Sequence, residues 1–160
     1  MVFRLLKMSE LGFLEEMLYE AIFIPEGIQK PPKTIIKDPS LSAYYEKWGE
    51  DVLDIALVAE FNQILVGAIW GRRFKKVKSG FGYIDDETPE LSMAVKTEYR
   101  NRGIGTELLK EIIEIYKDKG IKTLSLSVDK RNAAYRLYAK IGFRIFSEKD
   151  TTATMCMQLT

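Results

Sequence analysis

The first fifty positions of the chain change from a strand-like to a helical hydrophobic pattern and then lose periodicity. Residues 2–6 form a short strand-like run, and Ser9 can cap a helix that extends through Phe23. The apolar positions at helical spacing in that helix are Leu11, Leu14, Leu18 and Ile22. Prolines and a glycine interrupt residues 25–39 and predict a loop, which a short helix at 41–48 follows.

Strand-like runs dominate the remainder. Residues 55–61 and 64–70 flank the pair Asn62-Gln63 and predict a β-hairpin, and residues 91–95 would add the next antiparallel strand. The apolar face of a helix at 105–119 precedes Gly120 and a strand at 123–128, which together predict a right-handed β-α-β crossover. A short helix at 132–140 and strands at 142–146 and 154–159 complete the pattern.

The 160 residues fit a single domain, 1–160, with ordinary hydrophobic content. No apolar run approaches 18 residues and no basic-then-apolar leader is present, so neither a membrane span nor secretion is expected, and the expected location is cytoplasmic. The net charge of +1 gives no overall attraction for nucleic acid. The local basic run at 72–78 is expected to enter a solvated loop, the alternative being recruitment of a phosphate or an acidic partner.

Two residue types limit the chemistry available to the chain. Histidine is absent, which removes the commonest general base, His-activated nucleophiles and His-based metal sites, and no metal site is predicted. The single cysteine, Cys156, excludes an internal disulfide and is expected to be buried and inert. The base must therefore be a carboxylate, a phenol or water.

The strongest chemical signal is Arg100-Asn-Arg-Gly-Ile-Gly105, which joins the strand at 90–95 to the following helix. Gly103 and Gly105 allow consecutive backbone N–H groups to face an anion at the positive end of the helix, with Arg100 and Arg102 beside them. The glycines could also serve only to turn the chain. A Walker loop is excluded because the Lys and hydroxyl pair is missing after Gly105, and Leu108 does not suit a dinucleotide-binding fingerprint.

This segment resembles motif A, [RQ]-x-x-G-x-[GA], of the GNAT superfamily of acyl-CoA-dependent N-acyltransferases. Val128-Asp-Lys-Arg-Asn132-Ala-Ala-Tyr-Arg-Leu-Tyr138-Ala-Lys-Ile-Gly142-Phe143 resembles motif B of the same family, so the resemblance covers residues 90–143. It implies an α/β fold with a mixed, mostly antiparallel twisted sheet flanked by helices, in the order β-α-α-β-β-β-α-β-α-β-β. It further implies that the strands on either side of the motif A helix splay apart around the cofactor.

The resemblance implies acetyl-CoA as co-substrate. Its pantetheine arm would pair with backbone groups of Met93, Ala94 and Val95, and its pyrophosphate with the 101–106 amides. The residues of that loop are Arg100, Asn101, Arg102, Gly103, Ile104, Gly105 and Thr106. Asn132 either bonds the cofactor or only caps its helix. Lys130, Arg131 and Arg136 lie close enough in sequence to reach the ribose 3′-phosphate.

Tyr138 is the candidate general acid, because a phenol with a pKa near 10 is suited to protonate a departing thiolate, although it could instead only pack its helix onto the sheet. Some relatives carry a Glu where this chain has Ser127, which cannot serve as a base. Glu90 is the next candidate. Asp85, Asp86, Glu87 or a water chain are alternatives.

In this family the segment between the first two helices covers the acceptor, which implies residues 24–48 here. An aromatic wall for an apolar or cationic amine could be formed by Tyr44, Tyr45, Trp48 and Trp70, or these residues could only complete a core. The implied function is N-acetylation of a primary amine, first of a small molecule, alternatively of a protein N-terminus or lysine. A closed acidic pocket would favour the small molecule and an open groove the protein. A non-catalytic acyl-CoA-binding module is a further alternative, against which Tyr138 argues. A homodimer could form through an exposed sheet edge or through the aromatic second helix.

Overall fold

A computed structural model describes all of residues 1–160 as seven strands and four α-helices. The strands are β1 Val2–Leu5, β2 Ile55–Phe61, β3 Ile64–Arg72, β4 Glu90–Val95, β5 Thr123–Asp129, β6 Arg144–Lys149 and β7 Thr152–Gln158. The helices are α1 Gly12–Ala21, α2 Pro39–Ser42, α3 Ile104–Asp118 and α4 Ala134–Ile141. The predicted element order is confirmed throughout.

All seven strands form one sheet in the order β1-β2-β3-β4-β5-β7-β6. The pairs within β1–β4 and within β5-β7-β6 are antiparallel, whereas β4 and β5 are parallel. The mixed, mostly antiparallel fold class is therefore confirmed. The hairpin between β2 and β3 is also as predicted, and Asn62 and Gln63 both adopt positive φ, as a type I′ hairpin turn requires.

Two hydrophobic clusters lie on opposite faces of the sheet. The larger packs the apolar side of α3, including Leu108 and Ile112, against β2 to β5 and β7. The smaller packs α1, including Leu14 and Met17, against Ala56 and other residues of β2 to β4. Along β4 and β5 successive side chains alternate between the two faces of the sheet, so each strand contributes every second residue to one face.

The predicted bounds of the first two helices are wrong. Ser9 lies inside a single 3₁₀ turn, Met8–Glu10, so it caps no helix, and α1 begins at Gly12 without a side-chain cap. The helix expected at 41–48 is reduced to the single turn of α2, which Asp38 caps by accepting a hydrogen bond from the Ser40 backbone N–H. Turns follow through residue 49.

Two predictions about single residues are also corrected. Cys156 is only partly buried, because it lies on the face of β7 opposite Met155, where the smaller cluster does not extend. In the basic run, Arg72 is not solvated: it pairs with the fully buried Asp54 carboxylate at 2.8 Å and donates to three carbonyls that follow α2. Arg73 pairs with Asp51, whereas Lys75, Lys76 and Lys78 are exposed as expected.

The longest helix, α3, has 15 residues, and none in the chain has the length and apolar character of a membrane span.

Candidate active site

The sheet is nearly divided between β4 and β5. Their only paired register is Glu90 opposite Ser125, supported by a 3.0 Å hydrogen bond from the Ser125 N–H to the Pro89 carbonyl. Beyond this vertex the strands diverge, as the family resemblance implied, and a cleft of about 1060 Å³ opens between them. Its walls come from β4, the start of α3, the end of β5, α4, and the segment from the end of α1 to α2.

The edge of β4 that faces the cleft carries unpaired backbone groups. The Lys96 N–H donates to the Val66 carbonyl at 2.8 Å, which fixes the alternation of the antiparallel ladder with β3. By that alternation Ala94 points its N–H and carbonyl toward β3, and Met93 and Val95 point theirs toward the gap. The Val95 carbonyl accepts a 2.8 Å hydrogen bond from Arg100 Nε, which leaves the N–H groups of Met93 and Val95 free.

The start of α3 presents further free donors. Backbone N–H groups from residue 101 to residue 106 make no hydrogen bond within the protein, and the first helical bond runs from the Glu107 N–H to the Gly103 carbonyl at 3.1 Å. Gly103 has φ of 80° and Asn101 of 62°, so two left-handed residues shape the loop. Six consecutive donors at the positive end of a helix form an anion-binding arrangement.

The structure separates the two arginines of this loop. Arg100 lines the cleft and has Glu20 at 3.8 Å. Arg102 does not line the cleft, because its guanidinium lies over the Tyr99 ring and donates to the Glu98 carbonyl at 3.2 Å. All other predicted cofactor-binding residues line the cleft; they are Met93, Ala94, Val95, Asn101, Gly103, Ile104, Gly105, Thr106 and Asn132.

Asn132 both lies at the proposed cofactor site and caps its helix, the two roles between which the sequence does not decide. It lines the cleft, and its Oδ1 accepts a 3.0 Å hydrogen bond from the Ala134 N–H at the start of α4. Of the basic residues nearby, Lys130 pairs with Glu148 and Arg131 with Asp129, whose pKa the Arg131 hydrogen bond lowers. Arg136 is exposed and makes no ion pair. It is therefore the one of the three that is free to meet a phosphate.

Tyr138 on α4 lines the cleft next to the loop that starts α3. Its ring packs edge-on against Phe143, with the centroids 5.9 Å apart, and is 8% exposed. Its hydroxyl makes no hydrogen bond within the protein and yet is not sealed from solvent. Burial raises its pKa above the ordinary value, so the phenol stays protonated at neutral pH. The Tyr138 ring therefore packs in the core, as expected of a residue that holds its helix onto the sheet, and its hydroxyl remains available to a ligand.

Glu90 lies at the vertex and lines the cleft, although it is only 3% exposed. One oxygen, Oε2, accepts a hydrogen bond from the Tyr44 hydroxyl, which in turn accepts from the Phe81 N–H at 2.8 Å. The other oxygen, Oε1, is buried without a hydrogen-bond partner of good geometry, although the nearby Gly82 N–H lowers the carboxyl pKa. Burial outweighs both donors and raises the Glu90 pKa to about 7.

The alternative bases lie elsewhere. Asp85 accepts hydrogen bonds from the N–H groups of Glu87 and Thr88, and Asp86 bonds Tyr83 and the Lys76 N–H. Glu87 pairs with Arg73 at 3.2 Å. None of the three carboxylates lines the cleft, so Glu90 is the one of the four candidate bases that shares the cleft with Tyr138.

One wall of the cleft is largely apolar. Residues 22–24, Pro31, Ile35 and Leu41 line it, and the Tyr19 hydroxyl ties α1 to this segment by donating to the Pro31 carbonyl at 2.6 Å. Of the predicted aromatic wall only Tyr44 is present. Trp70 is in the core, Tyr45 bonds the Ile36 carbonyl, and Trp48 lies beneath Arg72.

Phe81 is an aromatic cleft residue that the sequence analysis missed. It is 61% exposed, and its ring is nearly parallel to that of Tyr44, 10° apart with centroids at 6.4 Å. The available signal was the run Gly80-Phe81-Gly82, since two glycines around one aromatic residue mark a backbone that approaches its neighbours closely.

Comparison with known proteins agrees with this geometry. The sequence profile of the acetyltransferase (GNAT) family matches residues 24–143. A [ribosomal protein bS18]-alanine N-acetyltransferase of Haemophilus influenzae is 36% identical over 95 residues, 59% of this chain and 57% of that protein. N-alpha-acetyltransferase 50 of Danio rerio is 32% identical over 112 residues, 67% of this chain and 63% of that protein. The chain thus spans between half and two thirds of these relatives.

A solved structure extends the likeness to the whole fold. The PaiA N-acetyltransferase of Thermoplasma acidophilum, in complex with coenzyme A, superposes with a TM-score of 0.70 at 23% identity, over 99% of both chains. Because the family profile covers 120 of the 160 residues, 24–143, the chain belongs to the GNAT acetyltransferase family, whose enzymes use acetyl-CoA as acetyl donor.

Proposed function

We propose that this protein transfers an acetyl group from acetyl-CoA to the primary amine of a small molecule, by direct attack in a ternary complex. One observation supports this most strongly: free backbone donors, an unbonded phenol and a buried carboxylate lie on the walls of one cleft. The proposal treats residues 1–160 as a single domain, since both halves of the chain contribute to one sheet.

Main-chain donors hold the acetyl donor in this proposal. The 101–106 amides bind the pyrophosphate, assisted by the positive end of α3 and by Arg100. The free N–H groups of Met93 and Val95 face the pantetheine arm, and one of them donates to the thioester carbonyl oxygen, which gains negative charge as the amine attacks. Arg102 contributes positive charge from outside the cleft, and Asn132 donates to the arm through its Nδ2 while its Oδ1 caps α4.

Glu90 and Tyr138 move the protons. Glu90 takes one proton from the acceptor ammonium, through a water where the amine does not reach Oε1, and the free amine attacks the carbonyl carbon. As the C–S bond breaks, Tyr138 gives its hydroxyl proton to the departing thiolate. The second proton of the attacking nitrogen restores Tyr138, and Glu90 releases its proton to solvent.

The apolar lining of the cleft indicates the kind of amine. Ile24, Pro31 and Phe81 offer apolar surface, and the nearby Asp129 is already paired with Arg131. An amine carried by an apolar or aromatic group fits these surroundings better than a polycation, because little unpaired acidic charge remains.

A protein N-terminus is the second candidate acceptor. The names of two relatives, a ribosomal-protein-alanine N-acetyltransferase and an N-alpha-acetyltransferase, favour it. Homodimer formation and a cytoplasmic location remain predictions.

The test begins with thermal unfolding in the presence and absence of acetyl-CoA. At about 100 times its Kd the ligand adds roughly 2.7 kcal/mol to the free energy of unfolding, a rise of roughly 5–10 °C in Tm. Thiol release is then measured with small aliphatic and aromatic amines, with peptides bearing a free N-terminus, and with N-terminally blocked lysine peptides. Turnover of peptides alone would replace the small-molecule proposal, and a Tm shift without turnover of any amine would favour a binding module.

A further inference from the structure

We propose that Tyr44 is a positioning residue for acetyl transfer: its hydroxyl fixes the Glu90 carboxylate against the 80–82 segment at the vertex of the cleft, so that Oε1 is the carboxylate oxygen left without a hydrogen-bond partner. This inference rests on the proposed function, because it assigns Glu90 the role of base. It adds a residue that lies 46 positions from Glu90 and outside both family motifs.

The directions of the hydrogen bonds leave Tyr44 a single arrangement. Its oxygen accepts from the Phe81 N–H at 2.8 Å, so its one proton is directed to Glu90 Oε2. The residue is 5% exposed, and no water-facing alternative competes for that proton.

The surrounding structure holds the phenol in place. Trp70 Nε1 donates to the Tyr44 carbonyl at 3.1 Å, which anchors the backbone. Phe74 packs against the ring with the centroids 4.9 Å apart, and Phe81 lies parallel to it. The hydroxyl is therefore positioned before any ligand arrives.

The 80–82 segment lies directly on this pair and on the neighbouring strand. A Cβ at Gly80 would clash with Glu90 Oε1 and lie 2.8 Å from the Tyr44 oxygen. A Cβ at Gly82 would lie 2.6 Å from the carbonyl carbon of Leu126. Only glycine lets the backbone approach this closely, so the segment, Tyr44 and Glu90 form one packed unit across the vertex.

The groups that surround Glu90 determine how loss of the Tyr44 hydroxyl would change the Glu90 pKa. Tyr44 faces it from the turn after α2, the Gly82 N–H from the 80–82 segment, and Ser125 lies opposite on β5. No charged side chain of another element acts on its pKa. The Tyr44 hydrogen bond favours the ionised carboxylate and so lowers the Glu90 pKa, whereas burial raises it. Removal of the hydroxyl should therefore raise the Glu90 pKa further.

The direct test is a carbon-13 NMR titration of glutamate side-chain carboxyls, with Glu90→Gln to assign the Glu90 signal. We expect a midpoint near 7 in the unsubstituted protein and one higher by about one pH unit or more in Tyr44→Phe. Tyr45→Phe is the matched control, because its hydroxyl bonds the Ile36 carbonyl and not Glu90. An unchanged midpoint in Tyr44→Phe overturns the proposal.

A second substitution at position 44 tests the same hydrogen bond if Tyr44→Phe does not fold. Site-specific 3-fluorotyrosine at position 44 keeps the ring and makes the phenol a stronger donor, so the Glu90 midpoint should fall. A midpoint that does not move overturns the proposal equally.

Activity then separates this inference from the proposed function. In Tyr44→Phe the acid limb of kcat/KM should move to higher pH together with the NMR midpoint, while KM for acetyl-CoA stays within about twofold. If the unsubstituted protein neither binds acetyl-CoA nor acetylates an amine, the proposed function fails, whereas the titration still decides the role of Tyr44. If that protein is active and the profile of Tyr44→Phe is unmoved, the positioning role alone fails.

Discussion

Glu90 and Ser125 form the only register pair between β4 and β5, and each carries a buried side-chain oxygen without a hydrogen-bond partner. Leu91 and Leu124 beside them point into the α3 core, so by alternation the two polar side chains share the opposite face of the sheet. Buried polar atoms are nearly always satisfied by protein or by ordered water. The vertex of the cleft is therefore a polar point that a water or an acceptor amine can satisfy.

The first prediction concerns stability against pH. Burial raises the Glu90 pKa from its ordinary 4.5 to about 7, so the folded state holds a proton that the unfolded state has lost. The free energy of unfolding should therefore fall between pH 4.5 and pH 7, by an amount on the order of 3 kcal/mol. Urea unfolding of Glu90→Gln should lack this decline. Glu87→Gln, at a side chain that is 85% exposed, is the control, and parallel curves for all three proteins would contradict the prediction.

The pH dependence of turnover gives a second prediction. Only the ionised Glu90 accepts a proton, so kcat/KM should fall about tenfold for each pH unit below an acid limb near 7. Glu90→Gln should lose most activity at every pH and keep its Tm shift with acetyl-CoA. A limb that persists unchanged in Glu90→Gln assigns the titration to another group.

Removal of the Tyr138 hydroxyl should affect chemistry more than binding. Tyr138→Phe keeps the ring contact with Phe143 but has no proton for the thiolate, so kcat should fall about 10- to 1000-fold with acetyl-CoA affinity nearly intact. Tyr135→Phe on the same helix is the matched control. Steady-state kinetics with isothermal titration calorimetry separates the two quantities, and an unchanged kcat would leave Tyr138 as a packing residue.

Gly103 and Asn101 test whether the loop binds through its backbone. Space is open around a Cβ at Gly103, but its φ of 80° disfavours a branched side chain by about 1–3 kcal/mol, so Gly103→Val should reorient the amides and weaken acetyl-CoA binding at least about tenfold. Asn101 is also left-handed, so Asn101→Gly rather than Asn101→Ala is the control that removes a side chain without strain. Equal losses in calorimetry would indicate side-chain recognition instead.

Gly80 provides the last prediction. In Gly80→Ala the new methyl group would meet Glu90 Oε1 and the Tyr44 hydroxyl, so the 80–82 segment must move away from the vertex. We expect a loss of about 1–3 kcal/mol in the free energy of unfolding, together with a large fall in turnover. Gly12→Ala on α1, where nothing lies within 4 Å of the new Cβ, should be neutral or stabilising. Equal stabilities of the two variants would show that the segment is not tightly packed.

The element order was predictable because each strand and the amphipathic α3 carries its own periodicity. Residues 25–51 were predicted less well, since their conformation depends on tertiary hydrogen bonds, such as those from Arg72 to the carbonyls after α2. No local pattern indicates that β4 and β5 diverge; that implication came from the family resemblance.

In the site, too, residues in local motifs were predictable and residues placed by tertiary contacts were not. Tyr138 and the glycine loop were found because they lie in compact motifs. Glu90 was found by its position at the start of a strand, but Tyr44, its hydrogen-bond partner, was considered only as part of an aromatic wall. The separation of 46 positions in sequence places this contact beyond any local pattern.

The near division of the sheet has a consequence for its cooperativity. With one register pair joining β1–β4 to β5-β7-β6, the backbone hydrogen bonds of the two halves are almost independent in the free protein. A ligand whose amide groups bond the free edge of β4 supplies contacts that the protein chain leaves out. The hydrophobic core under α3 still joins the two halves, so native-state hydrogen exchange should show the change locally: the amides of Met93 and Val95 should exchange more slowly with acetyl-CoA than without it.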